Sequence, residues 1–99
     1  MASIAPSEAS ITRSIIAALK RDGHYARKTH GGAAGAGWPD IIGVRAPDGR
    51  AFAIEVKRPD KMNTVTMIQR KNLLAFKKAG ALVGVACTIE MARSIVGEA

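Results

Sequence analysis

Apolar positions in the first third of the chain recur at helical spacing. Ile11, Ile15, Ile16 and Leu19 fall on one side of a helix predicted over about Glu8 to Lys20, while Arg13, Lys20 and Arg21 lie elsewhere. Ser7 is a good N-cap, Glu8 suits the helix dipole, and Gly23 supplies a stop. From His24 to His30 the spacing changes to alternation, with Tyr25, Arg27 and Thr29 on one side and Ala26 and Lys28 on the other, which predicts a short strand. Two further strands flank Asp48-Gly49. Thr66 and Gln69 have the spacing of a capping box that opens a helix over about Met67 to Ala79, with Gly80 as its stop. Ile68, Asn72, Leu73, Ala75, Phe76 and Ala79 form its inner stripe. The unbroken apolar run Ala81 to Ala86 predicts a central buried strand, and Thr88 caps a last helix, Ile89 to Val96. The order is α, β, β, β, α, β, α, and the crossover helix makes the third and fourth strands parallel. Residues 1–99 form one α/β (α+β) domain.

The segment around Asp48-Gly49 carries the chemistry. A tight hairpin turn needs positive φ, which Gly and Asp tolerate. With those two residues as the loop, Val44 faces Ala53, Ile42 faces Glu55 and Asp40 faces Lys57. Alternation then puts Asp40, Glu55 and Lys57 on one face of the sheet and Phe52, Ile54 and Val56 on the other. Charges at the end of an apolar strand are costly without partners. One resolution is a cross-strand Asp40 to Lys57 ion pair, with Glu55 solvated at a sheet edge. The other is a cation site, since paired carboxylates suit Mg²⁺, and a lysine beside the ion can orient a water or steady charge on phosphate.

Charge favours the second. The 99 residues carry 15 Lys and Arg against 8 Asp and Glu, a net charge of +7, which fits a polyanionic partner such as nucleic acid. Arg27, Lys28 and His30 on the first strand, Arg58 and Lys61 after the third, and Arg70 on the second long helix are the candidate DNA contacts. The four aromatics, Tyr25, Trp38, Phe52 and Phe76, are few for a platform that stacks single strands; Trp38 is expected in the core or a dimer contact. The run Gly31 to Gly37 lacks the Gly-Lys-Ser/Thr of a P-loop and reads as a plain linker or as a loop that admits a phosphate backbone. His24 and His30 have no cysteine or further histidine at zinc spacing. Cys87 is alone, so no internal disulfide forms and a reducing cytoplasm is expected. No apolar run spans a membrane, and Met1 to Ser7 lacks the pattern of an export signal.

Glu8, Gly37-Trp38-Pro39-Asp40, Glu55-Val56-Lys57 and Gln69, each in its element, together resemble the virus-type replication-repair nuclease (VRR-NUC) domain, a branch of the PD-(D/E)xK nuclease superfamily. The resemblance spans essentially the whole chain. It implies a restriction-endonuclease-like αβββαβα fold with a mixed four-stranded sheet flanked by helices. It further implies that Asp40, Glu55 and the Val56 carbonyl hold Mg²⁺ or Mn²⁺ and that Lys57 positions or activates the attacking water. Glu8 would act through the metal or its water, and Gln69 would orient groups around the same centre. Stand-alone members resemble homodimeric nucleases of branched DNA such as Holliday junctions. The alternative is a DNA-binding module that keeps the nuclease fold without turnover, and a third possibility is an interaction subunit held by the Asp40 to Lys57 pair.

Overall fold

A computed structural model describes residues 6–29 and 36–98 of the chain. The elements follow in the order α1 (Glu8–Arg21), β1 (Tyr25–Lys28), β2 (Ile41–Val44), β3 (Ala51–Val56), α2 (Met67–Lys78), β4 (Leu82–Ala86) and α3 (Ile89–Val96), with a 3-10 turn at Pro59–Lys61 before α2. The helix starts are built by the expected caps. Ser7 accepts from the Ser10 N–H and Thr88 from the Met91 N–H, while Thr66 and Gln69 form a reciprocal capping box. Gly23 and Gly80 follow α1 and α2 at positive φ, where a side chain would be strained.

The strands form one mixed sheet in the order β1-β2-β3-β4, antiparallel between β1, β2 and β3 and parallel between β3 and β4. Helix α2 makes the crossover that a parallel pair requires. Phe52, Ile54 and Val56 of β3 point into a core with Ile11, Ile15 and Leu19 of α1, Ile41 of β2, Leu82 and Ala86 of β4, and Ala92 and Val96 of α3. Helices α1 and α3 therefore share one face of the sheet, and α2 packs on β3 and β4 from the other. Gly43 and Gly84 let the first layer close. A Cβ at Gly43 would run into Phe52 and the Tyr25 carbonyl, and one at Gly84 would run into Ile95.

Two expectations are corrected. Strand β4 is an edge strand rather than a central one. Its apolar run reflects cover by α2 and α3 on its two faces, not strands on both sides. The β2–β3 connection is not a two-residue turn, and Ile42 faces Ala53 instead of Glu55. The loop runs from Arg45 to Arg50, closed by Arg45 N–H to the Arg50 carbonyl at 2.8 Å and Gly49 N–H to the Arg45 carbonyl at 2.7 Å. A primed turn would need Asp48 at positive φ, and among the described residues only glycines adopt it. Pro47, which has no N–H, also cannot donate to a ladder with Arg50. The slip is by two residues, so every side chain stays on its expected face.

In α2 the inner stripe is narrower than its apolar pattern implies. Leu73 is buried, but Ile68 is exposed and touches the chain at Gly37. Trp38 stands edge-on to Phe76, with ring centroids 6.1 Å apart, which fastens the segment before Asp40 to α2 rather than to the main core.

Candidate functional site

The corrected register brings Asp40 and Glu55 together. Ile41 pairs with Ile54, so one further step of the ladder sets Asp40 opposite Glu55 on the face that α2 partly covers. Strand β2 stops at Ile41, and there the Asp40 side chain replaces backbone, its Oδ2 accepting the Val56 N–H at 2.7 Å. Thr29 fixes the same corner from β1. Its N–H donates to the Asp40 carbonyl at 2.9 Å and its hydroxyl to the Pro39 carbonyl at 2.6 Å.

Glu55 is 2% exposed, and its Oε1 has no hydrogen-bond partner among the described residues. A buried carboxylate oxygen without a donor is expensive. Its carboxyl is accordingly pushed up to about 8, first by burial, then by the hydrogen bond its protonated form shares with Asp40 and by the Asp40 charge, with a smaller push from Glu8. Lys57 pulls the other way. The lysine itself is 7% exposed, with its backbone N–H tied to the Ala86 carbonyl at 3.1 Å.

This geometry does not form the Asp40 to Lys57 ion pair. Among the described residues the ion pairs are Arg45–Asp48, Arg58–Asp60 and Arg93–Asp22, and Glu55 is buried, not solvated. The reason is the register: the slip sets a carboxylate, not the ammonium, across from Asp40.

The other candidate residues are dispersed. Glu8, the first residue of α1, is exposed and close enough for its charge to be felt at Glu55. The Gln69 amide oxygen accepts the Thr66 N–H at 2.9 Å, so that side chain serves the helix cap. Val56 is fully buried with its N–H given to Asp40. Arg27 shares the face of the carboxylates, whereas Lys28, one residue on, lies on the face of α1 and α3. Arg58 pairs with Asp60 at 3.3 Å, and Lys61 and Arg70 are exposed. His30, and most of the glycine run, lie outside the described residues.

Among the described residues no group of three or more His, Cys, Asp or Glu side chains is arranged around one metal position. The donors that do converge are two carboxylates, one with an orphaned oxygen. That set fits Mg²⁺ or Mn²⁺, hard ions that bind through one or two carboxylates and complete their shell with water and phosphate oxygens.

Sequence reasoning missed Thr29 and Arg45. The length of the glycine run hides which residue of β1 meets Asp40, so Thr29 left no signal. Arg45 left one, an Arg and an Asp three apart within a turn. Its guanidinium holds Asp48 through two bonds of 3.0 and 2.6 Å and donates to the Val96 carbonyl at 2.8 Å. Arg45 thereby ties the hairpin loop to the end of α3.

A scan against protein-family models and searches of curated proteins and of solved structures found no match to this chain.

Proposed function

We propose that this chain is a Mg²⁺- or Mn²⁺-dependent endodeoxyribonuclease of the VRR-NUC type that acts on branched DNA as a homodimer inside the cell. The observation that carries the reading is the unpartnered oxygen of buried Glu55 beside Asp40. Folding alone gives no reason to set two carboxylates side by side, because like charges in a desolvated corner oppose it. Below about pH 8 a proton on Glu55 relieves the conflict, and in the ionised state a divalent cation would do so.

In this reading Asp40, Glu55 and the Val56 carbonyl hold the ion. When bound, the ion supplies a water of lowered pKa and counter-charge for the phosphate. Lys57 would position the attacking water or donate to a phosphate oxygen, Glu8 would act through the charge it exerts on Glu55, and Gln69 would act through the α2 cap it completes with Thr66. Capture of the backbone falls to the net charge of +7, so binding weakens steeply with salt. A two-fold dimer would present two such centres to opposed strands of a symmetric junction.

The test is cleavage of a labelled four-way junction in Mg²⁺ or Mn²⁺ by wild type, Asp40→Asn and Lys57→Ala. Loss of nicking in both variants is expected, and equal cutting by all three removes the proposal. Junction binding that survives Glu55→Ala, with no nicking by wild type at any metal concentration, assigns the chain instead to a DNA-binding module.

A further inference from the structure

Among the described residues, helix α2 covers β3 and β4 and leaves β1 and β2 uncovered on the face that carries the carboxylates. On that bare half Tyr25 sits directly across from Val44, and Arg27 across from Ile42. Tyr25 is 60% exposed and Val44 42%, and the Arg27 guanidinium donates to the Tyr25 hydroxyl at 3.3 Å. An aromatic ring and an aliphatic side chain thus lie uncovered beside a cation. The row Tyr25, Arg27, Thr29 leads to Asp40, which receives the Thr29 N–H. Four residues of strand cover about 13 Å.

We propose that this patch is a stacking site for one unpaired base of a nucleic-acid strand whose backbone continues to the carboxylate corner. The inference rests on the nuclease reading and narrows its substrate to DNA that presents an unpaired nucleotide near the cut. Charge complementarity selects the occupant. Arg27 supplies a positive group, and Asp48 at the far end of the hairpin is already neutralised by Arg45. A second copy of the chain would bring a second Arg27 toward the first. A base inside a duplex cannot offer its flat face to Tyr25, whereas an unpaired one can, and every base has such a face. The small number of aromatics rules out a long stacking track but leaves room for one stacked base, placed by the strand register.

The experiment uses the full chain without divalent metal, so that binding is read without cutting. The probes are a duplex bearing an unpaired 2-aminopurine flap and the same duplex without it. Wild type is expected to quench the 2-aminopurine and to bind the flapped DNA roughly tenfold more tightly. Tyr25→Ala is expected to lose both effects, and Tyr25→Phe to keep them. Arg27→Ala should weaken both DNAs alike and reduce the salt slope by about one. Tyr25 is exposed, and matching thermal melts confirm that the variants fold.

Undiminished quenching by Tyr25→Ala, or equal binding of the two DNAs by wild type, overturns the stacking site. So does a loss of self-association in Tyr25→Ala that leaves the flap preference intact, since the patch then belongs to a second copy. Nicking of the same DNA with Mg²⁺, dependent on Asp40, separates the two proposals: if it persists while the flap preference is absent, only the stacking site falls. If wild type binds neither DNA the stacking site falls, and nicking of the four-way junction with Mg²⁺ decides the nuclease reading by itself.

Discussion

Replacing Glu55 with Gln isolates the energetic conflict at the carboxylate corner. The amide keeps the shape of the side chain and removes its charge. In the native protein the Glu55 carboxyl titrates at about 8 instead of 4.5, so the folded state holds this proton more tightly than the unfolded chain does. Below about pH 4 both states are protonated and the group costs nothing through ionisation. As pH rises from there toward 8 the unfolded chain ionises first, and stability falls through that window. The full width of the window caps the cost of the charge at about 5 kcal/mol. Relaxation of the surroundings around the charge reduces this to roughly 2–3 kcal/mol, in line with a buried polar group that lacks a partner.

Urea unfolding of wild type and Glu55→Gln at pH 4 and pH 8.5 measures this directly. Without metal, the variant should match wild type to within about 1 kcal/mol at pH 4 and exceed it by roughly 2–3 kcal/mol at pH 8.5. For a domain of this size that corresponds to about 10 °C or more in melting temperature. Mn²⁺ at pH 8.5 should raise the midpoint of wild type and leave the variant unmoved, because an ion that binds only the folded state stabilises by mass action. A Gln variant less stable than wild type at pH 8.5, or an equal gap at both pH values, would refute the assignment of Glu55 as a strained, unpartnered acid.

Other consequences are separable from that site. Asp40→Ala removes the acceptor of the Val56 N–H and should cost about 1–3 kcal/mol in metal-free urea unfolding, less what is regained by relieving Glu55. Thr66→Ala breaks the capping box of α2 and should cost about 1 kcal/mol, measured the same way. Arg45→Ala should lower the melting temperature and raise amide exchange at Val96 and Gly97, since it frees the hairpin loop from the end of α3. The Asp48 carboxyl is held at about 2, chiefly by its hydrogen bond from Arg45. A carboxyl with a depressed pKa stabilises above its unfolded value, so this contribution fades as pH falls from about 4 through 2. An acid titration of stability in Arg45→Ala should lack that component.

The helices and the division of faces were legible because each rests on local chemistry. Ser7, Thr66 and Thr88 are caps wherever they stand, and the alternation of Phe52, Ile54 and Val56 with Ala53 and Glu55 is fixed by the strand itself. The partner of Asp40 was not legible. It depends on how the chain closes between Val44 and Ala51, where Pro47 and Asp48 disfavour the two-residue turn and Arg45 ties the longer loop to Asp48 nearby and to the carbonyl of Val96 far along the chain. No window of sequence contains both. The edge position of β4 escaped for a related reason: an apolar run records cover by α2 and α3 as readily as burial between strands.

The same division of β3 explains how the domain tolerates its own site. The face with Phe52, Ile54 and Val56 is closed by α1 and α3 into a continuous apolar core, and each such side chain contributes about 1.5–3 kcal/mol when withdrawn from water. Three of them outweigh the charge cost at Glu55, one residue away on the opposite face. Because both faces belong to one strand, the core that holds Ile54 and Val56 rigid also fixes the backbone of Glu55. The carboxylate can reach water only by rotating about its own side-chain bonds. In the proposed nuclease a cation would compete with a proton for the unsatisfied oxygen of Glu55. Metal affinity should then rise with pH up to about 8 and level off beyond, while in Glu55→Gln it should be weak and nearly independent of pH.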